Sequence, residues 1–404
     1  MDGFHILILL CGLIIFSYLF DLVAKRTRLP AVLLLLGLGM GLRALADASH
    51  LNVFDMNRIL PTIGTVGLIL IVFEGALELT YDRSKNAMIR KAFLAALFIL
   101  LFTTGAIAYI IHATTGAAVL TCVANAIPLS VISSAVAIPS ASGLQASQRE
   151  FVVYESSFSD ILGIIFFNFA VTNSSFGAQA FGWLGVDIIG VLALSAVFSM
   201  ALLWLLGRIK HKVKFFLILA IMVLVYALGK QFHLSSLVVV LAFGMFLANA
   251  DKVPSVWFRK HFIHTEFHRD LDQFHSLSRE TAFLIRTFFF VLFGFSVVVG
   301  QLADINAASL AGGLLAATYL VRAVFLRVAV RMDLSPLVYI TPRGLISILL
   351  YFSLPPALRI PEVGIGLLFM MVLATCLLMA IGLLISGKPP KPQLLDIELE
   401  RKPL

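Results

Sequence analysis

The sequence predicts an all-α polytopic membrane protein of about thirteen transmembrane helices, and three observations carry that prediction. Of its 404 residues, 60% are hydrophobic and only 13% charged, and the mean hydropathy is +1.01. The apolar residues fall in unbroken runs, many near the roughly 20 residues a helix needs to cross a bilayer. Those runs lack the two-residue alternation of a membrane β-strand, and in lipid only helices and closed barrels satisfy every backbone polar group. Cys11, Cys122 and Cys376 lie far apart in apolar segments and read as small core residues, not as a disulfide or metal set. The first segment has no basic n-region or cleavage signature, so it is expected to be a retained span. A net charge of +8 suits loops beside anionic lipid, and nothing suggests a nucleic-acid partner or a cofactor.

The expected spans cover roughly 5–23, 29–45, 59–79, 92–112, 118–143, 151–172, 183–206, 214–230, 234–249, 281–300, 305–328, 337–354 and 362–386. Residues 1–387 therefore form one transmembrane domain, followed by a short Pro- and charge-rich tail at 388–404. Basic residues gather in alternate loops: Lys25 and Arg28 after span one, Arg83 and Lys85 after span three, Arg149 after span five. Lys210 follows span seven, Arg259 span nine and Arg331 span eleven. These loops are expected to be cytoplasmic, which places the N-terminus outside and the C-terminus inside.

An internal echo divides the chain. Leu29-Pro30-Ala31-Val32 through Gly39-Met40-Gly41-Leu42 matches Leu234-Ser235-Ser236-Leu237 through Gly244-Met245-Phe246-Leu247 without a gap. The match pairs span two with span nine. It implies one repeat over about 5–172, a linker helix over about 183–206 and a second, inverted repeat over about 214–386. The fifth span of each repeat is irregular. Span five carries Pro128, then Ser130, Ser133 and Ser134, then Pro139-Ser140; span twelve carries Ser335-Pro336 and Thr341-Pro342-Arg343-Gly344. Proline removes a donor and frees a carbonyl, so paired broken helices crossing at the midplane are expected, with Pro139 and Pro342 supporting the breaks.

Span six holds Glu155 and Asp160 in Tyr154-Glu155-Ser156-Ser157-Phe158-Ser159-Asp160. An intramembrane carboxylate costs about 2.5–3.5 kcal/mol on insertion scales, so each needs a partner or a task. Five residues apart, the two point about 140° away from one another on a helix and should do different things. The other intramembrane charges are Glu74, Glu78, Arg286, Arg322 and Arg343. Arg322 is the natural partner of Glu155. Arg343 can balance the negative end of a half-helix or pair with Asp160, and Arg286 can be functional or only snorkel. His261, His264, His268 and His275 invite three readings: one amphipathic surface helix, a pH-sensing patch, or a zinc site.

Taken together these residues resemble the monovalent cation:proton antiporter superfamily, over nearly the whole chain. Phe73-Glu74-Gly75-Ala76-Leu77-Glu78-Leu79 looks like its third-span signature. Glu155-Ser156-Ser157-Phe158-Ser159-Asp160 is similar to the Glu-Ser-x-x-Asn-Asp motif of the electroneutral branch, with Ser159 in place of the asparagine. Arg322 resembles the arginine that pairs with the motif glutamate, and Arg343-Gly344 the second broken-helix motif. Ser133-Ser134 stands where the branch carries Thr-Asp, so the first broken helix lacks its aspartate.

The resemblance implies sodium/proton exchange by alternating access, with a core of spans four to six and eleven to thirteen moving against a dimerising scaffold in a bacterial inner membrane. Asp160 would then bind Na⁺ (or Li⁺ or K⁺) and H⁺ in competition. Hard oxygen ligands are expected from Ser156, Ser159, Ser133 and Ser134, with Glu74 nearby. Electroneutral one-for-one exchange is expected. The alternative on the same fold is a K⁺:proton exchanger or a channel-like K⁺ efflux pathway; a dependence of flux on voltage instead of the proton gradient would reveal the channel.

Overall fold

The computed structural model describes residues 11–20, 22–23, 30–49, 67, 69–79, 81–173, 178–208, 215–232, 234–263, 267–297 and 305–386. Its helices, in chain order, are α1 (Cys11–Phe20), α2 (Ala31–Ala48), α3 (69–78) and α4 (Asn86–Thr115). Next come α5 (Val119–Ser130), α6 (Ser134–Ser140), α7 (Ala146–Thr172), α8 (Ala178–Arg208) and α9 (Phe215–Gln231). The remainder are α10 (Ser236–Ala248), α11 (Val256–Phe262), α12 (Phe267–Ser296), α13 (Ile305–Phe325), α14 (Leu334–Leu337), α15 (Leu345–Phe352) and α16 (Ile365–Ser386). Among the described residues, six helical segments are long and apolar enough to cross a membrane. The helix α7 is not one of them, which fits a span diluted by Glu155, Asp160 and four serines.

Local chemistry fixes several ends. A 3₁₀ turn at Arg83–Lys85 leads into α4, and the Asp82 carboxylate starts it by accepting from the Ser84 N–H. Gly116, at φ +69°, ends the same helix in the left-handed region and donates its N–H to His112 O, a conformation glycine adopts without a Cβ clash. Lys85 Nζ reaches Glu150 Oε1 at 2.6 Å and ties the start of α4 to the start of α7.

The fifth and twelfth spans are each interrupted. Residues 131–133 are extended between α5 and α6, and 338–344 are non-helical before α15. The described part of the tenth span runs differently from expectation: α12 begins at Phe267, so His268 and His275 belong to it while His261 belongs to α11. The chain leaves helical geometry at Ile263, and the single histidine-bearing helix read from the sequence does not form. His264, the basic residues Lys25, Arg28 and Lys210, and the tail lie outside the described residues.

Several contacts recur when a span is exchanged with the one seven places later. Helix α4 packs on α7 as α13 packs on α16, while α4 with α13 and α5 with α15 are pairs that map onto themselves. The close crossings follow the same rule. A Cβ on Gly39 would lie 2.2 Å from Val291 O of α12, so that crossing brings backbone against backbone. Its counterpart in the sequence echo, Gly244 of α10, would place a Cβ 2.7 Å from Ala76 Cβ and 3.2 Å from Phe73 O of α3.

Candidate functional site at the helix crossing

The site is easiest to build from the backbone groups that the two breaks leave without helical partners. In a membrane interior each must find one inside the protein. Three successive N–H groups of the first break do so in three ways. Ile132 donates to Ser159 Oγ at 2.9 Å, Ser133 to Pro342 O at 2.9 Å, and Ser134 to Asp160 Oδ2 at 3.1 Å. Two of the acceptors are side chains one position apart on α7, and the third belongs to the other break. The crossing is therefore stitched directly. Gly344 completes it: a Cβ there would sit 2.6 Å from Ser133 Oγ and 2.9 Å from Val136 Cγ2.

The freed carbonyls are met by Arg343. Its Nε donates to Leu129 O at 2.5 Å, and its Nη1 to Val131 O at 3.2 Å and to Thr341 Oγ1 at 3.0 Å. The side chain is fully buried and, among the described residues, pairs with no carboxylate. Of the two readings open at the sequence level, the structure selects the half-helix end: Arg343 sits on the negative C-terminal carbonyls of α5 and does not pair with Asp160.

Glu155 and Arg322 come together as a closed fork. Arg322 Nη1 and Nη2 donate to Glu155 Oε1 and Oε2 at 2.8 and 2.9 Å, and Nε donates to Leu337 O at 2.9 Å. Both side chains are almost completely buried, at 0% and 1% exposure. Helices α7 and α13 and the short α14 are thereby locked at one point.

Asp160 is placed differently, and no arginine is committed to it. One oxygen holds the Ser134 N–H, while Oδ1 is buried without a hydrogen-bond partner among the described residues. The carboxylate lines a cleft of about 210 Å³ together with Glu74, Glu78, Ser134, Arg279 and Arg286. Of the serines named from the sequence, Ser134 lines this cleft; Ser159 is taken up by Ile132, and Ser133 Oγ is buried without a partner. Ser156 Oγ donates to Val152 O at 2.7 Å, and the cleft is lined by its neighbour Ser157 instead. Pro139 also lines it, at the end of α6.

Sequence reasoning passed over four of these features. Ser157 lies three residues before Asp160 and Ser156 four, so spacing puts both beside it and does not single out Ser157. Arg279 could have been found from its seven-residue spacing to Arg286. Asp187, an acid within α8, accepts the Ser235 N–H at 3.4 Å in front of α10, where Asn168 Nδ2 also bonds Ser235 Oγ. The fourth is the Ala135 carbonyl, four residues before Pro139. Proline has no N–H to offer it, and Arg286 Nη1 approaches it at 3.4 Å.

This arrangement offers one carboxylate with one oxygen anchored and the other without a partner among the described residues, facing a cleft and backed by the hydrogen-bonded crossing of the two breaks. Such a group can take a proton or a small cation and return to the same geometry.

Comparison with known proteins places this geometry in a family. The profile described as "Sodium/hydrogen exchanger, transmembrane" matches residues 11–386. No curated protein sequence matches the chain. Among solved structures, the chain is similar to the sodium proton antiporter MjNhaP1 from Methanocaldococcus jannaschii at pH 8, with a TM-score of 0.70 and 18% identity over 94% of this chain and 97% of that one. An electron-microscopy map of the same antiporter gives a TM-score of 0.66 and 19% identity over 96% and 100% of the two chains.

Proposed function

We propose, for a chain that belongs to the sodium/hydrogen exchanger family, that it exchanges one monovalent cation for one proton across the membrane by competition at Asp160. Members of this family are cation:proton antiporters, not enzymes. The finer reading adds the ion, Na⁺ first, the one-for-one ratio and the residue. It rests above all on Asp160, whose Oδ1 is free and whose Oδ2 is anchored on the break.

The coupling follows from charge. A bare carboxylate is expensive to carry through a dry barrier, whereas the protonated or cation-bound form is neutral. If only the neutral forms reorient, each ion returns only in exchange for the other. The Ser134 and Ser157 hydroxyls and carbonyls near the break are oxygen ligands suited to a hard cation. Glu74 lines the same cleft, and the Ser133 N–H and the Ser159 hydroxyl support the crossing beside it. We assign the Glu155–Arg322 fork to holding the moving core together. The repeated contacts around Gly39 and Gly244 support two inverted repeats, with α4–α7 and α13–α16 as the core. A homodimer in a plasma membrane of the bacterial inner-membrane kind, with the N-terminus outside, completes the reading.

The test is cation-induced dequenching of a pH-sensitive dye trapped in proteoliposomes, run with Na⁺, Li⁺ and K⁺ in turn. Dequenching by a monovalent cation, with an apparent affinity that weakens as pH falls, is expected. Absence of dequenching by all three, or affinity independent of pH, would overturn the assignment.

A further inference from the structure

Arg286 has no place in the exchange scheme, yet it stands inside the cleft. It reaches across two elements that the scheme would move apart. Its Nη2 lies 3.7 Å from Glu74 Oε2 of α3, and its Nη1 lies 3.4 Å from the Ala135 carbonyl at the start of α6. Its Nε is buried with no partner among the described residues. The side chain is only 17% exposed, and that of Glu74 10%, so neither simply reaches out to water. Both contacts are long, so the guanidinium acts as a held charge, not as a locked fork.

Without Arg286, the cleft would present Asp160, Glu74 and Glu78 as carboxylates beside hydroxyls and carbonyls. Among the described residues these three acids do not converge into a ready-made metal-ligand set, but the added negative charge would draw a divalent cation such as Ca²⁺ into the cleft twice as strongly as a monovalent one. The second and third acids are met from α12. Glu74 and Glu78 are one turn apart on α3, and Arg279 and Arg286 two turns apart on α12, so two acids face two bases across one cleft. The repulsion between a fixed positive charge and an entering ion scales with the charge of that ion, so it acts twice as strongly on a divalent as on a monovalent cation.

We infer that Arg286 is a charge-selectivity residue: by cancelling Glu74 within the Asp160 cleft it leaves the site with the net charge of one carboxylate and keeps divalent cations out. This rests on the exchange reading above and deepens it.

The experiment uses the full chain in two formats. Detergent-purified protein is heated with increasing CaCl₂, so that a rise in the unfolding midpoint reports binding without any transport. Proteoliposomes then report inhibition of Na⁺-driven exchange by Ca²⁺. Arg286→Gln should lower the Ca²⁺ concentration needed for either effect by at least roughly ten-fold. The double variant Glu74→Gln/Arg286→Gln should return it towards the wild-type value. Glu74→Gln alone, which leaves the arginine uncompensated, should raise the Na⁺ concentration for half-maximal exchange by a similar factor. If Arg286→Gln does not fold, this last variant still decides, and unchanged Na⁺ dependence would overturn the proposal. So would Ca²⁺ sensitivity of Arg286→Gln equal to wild type, or sensitivity that survives removal of Glu74. Absence of cation-driven proton flux in the wild type would overturn the exchange reading instead, and the thermal comparison would then decide Arg286 alone.

Discussion

Replacing Glu155 with alanine should destabilise the protein by about 3–5 kcal/mol, the usual result of breaking one side of a buried ion pair. The structure lets that figure be built from its parts. Arg322 would keep its bond from Nε to Leu337 O but lose both charge-assisted bonds to Glu155. Each such bond contributes roughly 1.5–3 kcal/mol, and no water can easily replace them around a guanidinium with 0% exposure. Arg322→Ala should cost a similar amount, since it strands a carboxylate with 1% exposure. The double variant removes both charges and leaves only a cavity, so its loss should fall short of the sum by about 1–3 kcal/mol. Reversible unfolding of the four proteins in mixed micelles gives the cycle directly. Strictly additive losses would show that the fork carries no coupling, and the assignment of these two residues to holding α7 and α13 together would be wrong.

Three other outcomes are expected. Asp160→Asn should fold with a near-normal unfolding midpoint yet show no cation-driven dequenching; substantial flux would remove Asp160 from the mechanism. Ser159→Ala should lose about 1–3 kcal/mol, because the buried Ile132 N–H forfeits its acceptor, whereas Ser159→Asn retains an acceptor and should recover much of that loss. An alanine variant as stable as wild type would show that Ile132 finds another partner. Exchange rates in liposomes clamped at several membrane potentials should not change with voltage.

The parts of this protein legible in sequence were those where lipid leaves few choices. Runs of apolar residues near membrane length announced the helices, and Pro128, Pro139 and Pro342 marked the breaks because a missing N–H must be accommodated somewhere. The Glu155–Arg322 pair was legible because neither charge survives alone at depth. What could not be read was direction. Helical periodicity left Ser156 and Ser157 almost equally placed around Asp160, and only the packing of α7 turned Ser157 to the cleft and Ser156 back onto Val152. Arg343 stayed ambiguous for a similar reason. A half-helix end and a carboxylate attract the same guanidinium, and the choice depended on how close Gly344 lets the two breaks approach. That answer also explains how the first break manages without an aspartate. Its C-terminal carbonyls at Leu129 and Val131 are met by Arg343, and its N–H groups by Ser159, Pro342 and Asp160. The histidine-rich segment misled because spacing in sequence says nothing of where a helix stops, and here α11 stops at Phe262.

The expected indifference to voltage depends on every charge near the crossing. Glu155 and Arg322 cancel and are hydrogen-bonded to one another in a fork that leaves no oxygen of the carboxylate for an ion. Arg343 is positive, but an arginine keeps its proton through any physiological cycle, so its charge is constant. Ser159 is neutral and already holds Ile132. Glu74 is on α3, outside the proposed moving core, and has Arg286 at 3.7 Å. Asp160 is then the one group in this set that exchanges its occupant, and both its proton-bound and its cation-bound forms are neutral. No net charge crosses in a complete cycle, and a potential set by K⁺ and valinomycin, with Na⁺ as substrate, should leave both rate and reversal point where they were. A reversal point that moves with the potential would mean that a second group titrates and travels. Glu74→Gln would identify it: if that substitution abolished the voltage dependence, the second proton would be on Glu74, and the division between core and scaffold drawn here would have to place α3 with the moving helices.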